Sequence, residues 1–438
     1  MTEVKTYTEK KPKNSSCKIK LIQTAVIIAI LLPFSGFAQF KVDAELRNRS
    51  EVRDGYAKLA ADGATPACQI SQRTRLIFGY ESEKLKIKIT PQDVRIWGDD
   101  TNFSLSGSNG NSASLDLFEG FADIKIGKEN WLAVGRQQLV YDNQSILSNA
   151  NWNQNGISSD AVLMKLKLKK WNLHLAGSWN TAQSLSANNY FPTDRYKSID
   201  FAWLNRQFES GLKLSLVHVA AGRTESDTSN TIYFRQTTGF YTLYAKNNFT
   251  IWGDAYYQYG KSQAGKKVSA FLLDVEAGYK IKTVSLGAGY SYISGNTETG
   301  TNLKTDKLYD PIYRSRHNFN GFMDYYSSYQ KQTAGGGLSD LYLFAEINPS
   351  KKLCIRNNFH FFSLAETNPA TPAYKNHGTE NDLVAKFKFA VWGLLEGGYF
   401  FYLPTESLKT IQGVKNGGFS QFLYVQLCVT PSLFKQSK

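Results

Sequence analysis

From Phe40 to Arg53 the chain reads FKVDAELRNRSEVR. Lys41, Asp43, Glu45, Arg47, Arg49, Glu51 and Arg53 occupy the odd positions, and the even positions from Phe40 to Val52 carry no charge. A period of two would scatter these charges around a helix, but it gathers them on one face of a β-strand. The same alternation returns along the chain. Lys165, Lys167 and Lys169 oppose Met164, Leu166 and Leu168, and Lys213 and Ser215 oppose Leu212, Leu214 and Leu216. Asp274 and Glu276 face away from Leu273, Val275 and Ala277, while Asp340 and Glu346 face away from Leu341, Leu343, Ala345 and Ile347. Asp382, Lys386 and Lys388 oppose Leu383, Ala385, Phe387 and Phe389, and a last strand predicted over 421–430 sets Leu423, Val425, Leu427 and Val429 against Tyr424 and Gln426.

One stretch breaks the parity. In KLKIKITPQDVRIWGD, residues 84–99, Lys84, Lys86 and Lys88 oppose Leu85, Ile87 and Ile89, but beyond Thr90-Pro91 the apolar Val94 and Ile96 are even and the charged Asp93 and Arg95 odd. If the apolar residues keep one face, an extra residue must be absorbed. The pattern predicts a β-bulge at Gln92-Asp93 that turns Asp93 and Arg95 to the charged face, with Pro91, which has no N–H for the ladder, beside it.

The connections also alternate. Short ones are expected near 81–83, 127–130, 169–171, 205–209, 246–249, 281–283, 348–351 and 389–391; long ones, rich in Asn, Ser, Gly and Thr, near 54–69, 99–114, 141–158, 181–196, 221–231, 294–337, 365–378 and 403–418, with a shorter one at 260–266. Pairing them predicts an all-β, antiparallel transmembrane barrel of about 18 strands, with short periplasmic turns and long extracellular loops. Strands of 9–11 tilted residues span a bilayer, and in lipid the sheet has to close so that every backbone group is paired. A soluble sandwich would reverse the faces, and a propeller would need a repeat of ~40–50 residues that is absent here. Trp131, Trp171, Trp252 and Trp392 each follow a short connection, where a periplasmic aromatic girdle is expected.

Composition agrees. Aromatic residues reach 14% although the mean hydropathy is negative, as expected for an apolar wall around a polar interior. Residues 1–38 read as a secretory signal: a lysine-rich stretch, an apolar run from Leu21 to Leu32, and small residues ahead of cleavage after Ala38. The run is too short to span a membrane. Cleavage removes six Lys and two Glu, lowering the formal charge from +14 by four to +10, and leaves Cys68, Cys354 and Cys428, whose scatter suggests neither a disulfide framework nor a zinc site. The remainder, 39–438, reads as one domain.

With the barrel's faces assigned, the charges become a lumen inventory. Arg47, Arg49, Arg53, Arg73, Arg75, Lys86, Lys88, Arg95, Lys165, Lys167, Lys386 and Lys388 are expected inside. So are Asp43, Glu45, Glu51, Asp93, Glu119, Asp123, Asp254, Asp274, Glu276, Asp340, Glu346 and Asp382. Rings of Arg and Lys select anions, while mixed ladders brace the wall. The arginines of the first three strands are the best candidates for substrate contact. Enzyme signatures fail: there is no HExxH or GxSxG among the five histidines and many serines, Ala255 stands where a P-loop ending at Gly260-Lys261-Ser262 needs Gly, and Tyr292 breaks a dinucleotide fingerprint at Gly287-Ala288-Gly289. His317 reads as a loop-packing residue. No enzyme, cofactor, metal or nucleic-acid role is expected.

Between Val134 and Asp160 the chain reads VGRQQLVYDNQSILSNANWNQNGISSD, and Gly135-Arg136-Gln137, Leu139, Tyr141, Leu147, Trp152, Gly156 and Asp160 resemble the signature of the alginate export family. Asp93-Val94-Arg95 with Trp97-Gly98, Tyr257-Gln258-Tyr259-Gly260-Lys261, Ser294-Gly295-Asn296 and HNFNGFMD at 317–324 match in order; the last resembles a Bacteroidetes-type branch. The resemblance implies an 18-stranded monomeric outer-membrane barrel with an electropositive constriction. Founding members pass anionic polyuronate outward, with Arg and Lys holding its carboxylates. Asp93, Arg95, Arg136 and Gln137 match motif positions and carry that expectation here. The implied partners are outer-membrane lipid and lipopolysaccharide, the barrel-assembly machinery, and an anionic polysaccharide or small anions. A general small-solute porin is the alternative, and the direction of transport stays open.

Overall fold

The computed structural model describes residues 39–98 and 114–436. The signal segment, its cleavage point and most of the connection at 99–114 lie outside these residues. The first strands are β1 (Gln39–Asp54), β2 (Ala67–Glu81), β3 (Leu85–Ile96), β4 (Ser114–Lys125), β5 (Trp131–Gln137), β6 (Ser159–Leu168) and β7 (Trp171–Trp179). Then come β8 (Ser198–Gln207), β9 (Leu212–Thr224), β10 (Ile232–Lys246), β11 (Phe249–Lys261), β12 (Lys267–Ile281) and β13 (Val284–Ile293). After the two-residue β14 (Thr305–Asp306) follow β15 (Leu338–Ser350), β16 (Leu353–Ser363), β17 (Asn376–Ala390), β18 (Gly393–Pro404), β19 (Ser420–Val429) and the short β20 (Ser432–Lys435).

Eighteen of these, β1–β13 and β15–β19, form one closed antiparallel barrel. β13 pairs directly with β15, and β19 returns to β1 with Leu46 opposite Val429 and Asp54 opposite Gln421. Closure leaves no edge, which a wall in hydrocarbon requires. β20 continues past Pro431 along the foot of β1. One end of the barrel carries tight turns such as 169–170, 247–248, 282–283 and 351–352; the other carries the long segments 138–158, 180–197, 294–337 and 405–419. No described helix is long and apolar enough to cross a membrane.

Side chains sort as the alternation requires. On β15, Leu343 is 53% exposed on the outer wall, whereas Asp340 inside is 0% exposed. Aromatic side chains ring the outside at the short-turn end: Phe40 packs against Phe434 and lies opposite Tyr80, and Phe249 lies opposite Tyr279. The four tryptophans divide. Trp171, opposite the exposed Leu168, faces outward, and Trp392 is half-exposed in its turn. Trp131 instead lies opposite Lys125 under the Lys86 ammonium, and Trp252 donates to Glu276; both face the lumen, so the expected girdle is only partly built from tryptophan. Position after a turn identified the level of these residues but not the face, because each strand enters with its own parity.

The predicted bulge at Gln92-Asp93 is not there. β2 and β3 hold a single register from Ser71↔Ile96 through Arg75↔Gln92 to Phe78↔Ile89. Even residues of β3 stay inside: Lys88 pairs with Glu119, Thr90 is buried, and Gln92 accepts from Arg75. The irregularity sits on the β4 side at Thr90/Pro91, where Thr90 faces Glu119 and Pro91 faces Leu117, so the extra residue is Phe118. Asp93 and Arg95 therefore share the outer face with Thr74 and Gln72, which they oppose. They leave the lumen inventory. An outer face can hold them because Arg95 clasps Asp93 through both oxygens at 2.7 Å, and Asn48, Ser50, Gln72 and Thr74 already make this end of the outer wall polar.

Candidate functional site: an arginine ladder and an infolded plug

The inner face of β1 and β2 brings Arg47, Arg49, Arg73 and Arg75 together. Arg47 sits directly opposite Arg73, and Arg75 opposite Glu45. Like charges in direct cross-strand register repel, so this ladder needs compensation. Part comes from carboxylates: Glu45 takes Arg73 and Arg75, and Glu51 takes Arg49 at 2.7 Å and Arg53 at 2.6 Å. The rest comes from the segment 138–158, which folds into the barrel rather than over it. Arg47 donates to Gln154 Oε1 at 2.8 Å and to the carbonyls of Asn151 and Asn153. Arg49 donates to the Trp152 carbonyl at 2.8 Å and lies 3.9 Å over the Trp152 ring. Arg73 reaches Asn151 Oδ1 and the Gln154 carbonyl, and Arg75 reaches the Asn155 carbonyl and stacks on Phe118. Gly156, at φ +67°, passes so close that a Cβ there would sit 3.0 Å from the Phe118 ring and 3.1 Å from Arg75. The four arginines expected to meet substrate are thus buried against backbone carbonyls.

A second segment, 294–337, fills the middle of the lumen and locks to the first. Leu147 bridges to Tyr313, Ser148 donates to the Tyr313 carbonyl at 2.7 Å, and the His317 ring stacks on Trp152 at 3.7 Å. The wall holds this segment through its buried acids. Glu380 accepts from the Met323 N–H at 2.7 Å and Asp382 from that of Phe322 at 3.1 Å, a grip possible because Gly321 turns at φ +85° where a Cβ would strike Glu380. Arg314 binds Asp274 and Ser145 and stacks on Phe319. Burial opposes the Arg314 charge, but Asp274 and Asp254 outweigh it and hold its pKa above the ordinary arginine value. Around these contacts Tyr309, Met323, Tyr325, Tyr326 and Tyr329 pack against Phe362, Phe400, Tyr402 and Phe422 of the wall. The lumen is therefore packed at mid-height.

Toward the short-turn end it is not. There Lys86, Lys88, Lys165 and Lys386 keep between 29% and 53% of their side chains exposed while touching Glu81, Glu119, Asp123 and Glu396. Of the motif residues, Gln137 faces in and caps its own strand end by donating to the Gly135 and Ala161 carbonyls. Arg136 turns outward at the end of β5, opposite Gly120, and binds Asp160 through both oxygens at 2.8–2.9 Å, bordering a cavity of about 450 Å³. The sequence reading missed Arg223 and Arg235, although both occupy inward odd positions of β9 and β10. It also missed Arg314, in a connection where no periodicity could reveal it. Among the described residues no cluster could hold a metal ion, and the three described cysteines are free.

The comparisons agree with this architecture. OccAB4 of Acinetobacter baumannii superposes with a TM-score of 0.61 at 12% identity, over 92% of this chain and 100% of that one. OccK3 (OpdO) of Pseudomonas aeruginosa gives 0.60 at 13% identity, over 90% and 96%. OpdK of the same organism, solved with vanillate, gives 0.59 at 12% identity, over 90% and 99%. At such identities these likenesses describe the fold. No curated protein sequence matches the chain. The alginate export family model matches residues 39–383, most of the barrel, and the chain belongs to that family of outer-membrane channels.

Proposed function

We propose that the protein is an outer-membrane channel for anionic solutes, with acidic oligosaccharide or polysaccharide as its cargo. The observation that carries this reading is the charge of the inner face. On β1–β3 Lys41, Arg47, Arg49, Arg53, Arg73, Arg75, Lys86 and Lys88 point inward against Asp43, Glu45, Glu51 and Glu81. A wall sector with this surplus attracts anions and disfavours cations along its surface. In this reading the lysine-lined end is the periplasmic mouth, both mature termini lie there after cleavage at Ala38, and the long segments face the exterior. The barrel works as a monomer set in lipid and lipopolysaccharide by the barrel-assembly machinery, and it has no catalytic role. A polymer would draw the 151–155 carbonyls off the arginine ladder and put its own carboxylates in their place.

A second reading, a diffusion channel for small solutes without polymer specificity, is favoured by the plug. The cavities left around it measure about 280–710 Å³, the size of small-molecule sites. OpdK's vanillate, a small aromatic carboxylate, belongs to the same scale. Planar-bilayer recording of the refolded protein separates the two. Anion selectivity with block by oligouronates is expected. A cation-selective pore overturns the proposal, and anion conductance indifferent to oligouronates leaves only the small-solute channel.

A further inference from the structure

A cavity of about 580 Å³ opens at the long-loop end between the tips of β9–β11 and the plug, on the opposite side of the sequence from the arginine ladder. Four cations line it, and they are not equally occupied. Arg235 is fully engaged, with Asp306 at 2.6 Å, Gln258 at 3.0 Å and the Leu308 carbonyl at 3.1 Å. Arg223 lies 4.2 Å from the centre of the Tyr196 ring, bonds that side chain and has Asp310 at 3.9 Å, so it too is largely engaged. Lys261 has no carboxylate partner among the described residues and lies 5.1 Å over the Tyr233 ring. Arg316, on the plug, makes no side-chain ion pair or hydrogen bond among the described residues, although it lines the same cavity. Two carboxylates thus face four cations, and the surplus points into a space walled by tyrosine.

We infer that this cavity is a docking station for a ring-bearing carboxylate. Arg316 and Lys261 receive the carboxylate, and the Tyr233 wall takes the ring. The volume fits a ligand of one to a few rings, and charge-assisted bonds from a guanidinium fork and an ammonium fit the carboxylate. A sugar acid and an aromatic acid share this chemistry. The inference rests on the anion-channel reading and deepens it, because a station at this mouth would concentrate solute ahead of the plug.

The test uses the refolded full chain in detergent and titration calorimetry with two probes, a galacturonate trisaccharide and vanillate, beside their neutral counterparts. Binding of one or both acids and none of the neutral compounds is expected; whichever acid binds identifies the source. Lys261→Gln with Arg316→Gln should weaken binding about 10-fold or more through the loss of two charge-assisted contacts. Lys261→Arg should retain it, and Arg195→Gln, an exposed cation outside the cavity, should leave it unchanged. Neutral compounds binding as well as acids, or an undiminished affinity in the double variant, overturns the inference. Reversal potentials on the same samples keep the readings apart. Anion selectivity without acid binding removes the docking station alone, and acid binding on a cation-selective pore removes the channel reading alone.

Discussion

At the residue scale, facing matters more than charge. Asp93 and Arg95 sit in a family motif, yet they face outward and neutralise each other. Asp93→Asn with Arg95→Gln is therefore expected to leave the reversal potential of the channel unchanged. Lys88→Gln with Lys386→Gln, which removes two partly exposed lumen cations, should move it toward cations. A selectivity change in the first variant would return those residues to the lumen. Gly321 makes a strict backbone requirement where the plug meets the wall, since its φ of +85° and the Glu380 carboxyl 2.5 Å from a Cβ both exclude a side chain. Gly321→Ala should cost about 1–3 kcal/mol of local stability, read as faster amide exchange over 316–326 with the barrel strands still protected. The inner-face arginines were legible as residues from the two-residue beat. Their partners were not, because the carbonyls of 151–155 lie about a hundred positions further along the chain.

At the element scale, the strands behave as independent predictions and the long connections do not. A strand announces itself because each residue's face is settled by its two neighbours. The segments 138–158 and 294–337 carry Asn, Ser, Gly and Tyr in no regular order, and they are ordered by what the wall offers: arginines for carbonyls, buried acids for N–H groups. Replacing 143–157 by a Gly/Ser linker should leave the barrel folded, since its wall pairings do not involve these residues. It should also strip the ladder of its carbonyl partners and leave Arg47 opposite Arg73 with only water and Glu45. Single-channel conductance and anion selectivity should both rise in this variant. Unchanged conductance would mean that the segment does not obstruct flow. Loss of the heat-modifiable folded form would mean that the barrel depends on its plug.

At the scale of the whole molecule, an apolar outer wall and a charged inner wall make opposite demands on neighbouring positions of the same strand. Val425, midway along β19 and exposed on the outside, should tolerate arginine badly, losing about 2–4 kcal/mol near the bilayer midplane. The adjacent Gln426 faces inward between Arg49 and Glu396 and should accept Gln426→Lys with less loss, because Glu396 offsets the repulsion from Arg49. Chemical unfolding of the two variants in lipid vesicles would compare them, and equal losses would contradict the assignment of faces. The strand pattern, the closure, the count near eighteen and the placing of charge on one face of each strand could all be read from the residue order alone. Each follows from a local period together with the rule that no backbone group can stay unpaired in hydrocarbon. The plugging of the lumen, the occupation of the arginine ladder by carbonyls, the break in parity at Phe118 rather than Gln92, and the meeting at the β9–β11 mouth of Lys261 and Arg316, which have no carboxylate partner among the described residues, came only from the folded chain. Those outcomes depend on which distant groups meet inside the barrel and how neighbouring strands slide past one another, and neither is encoded in a two-residue period.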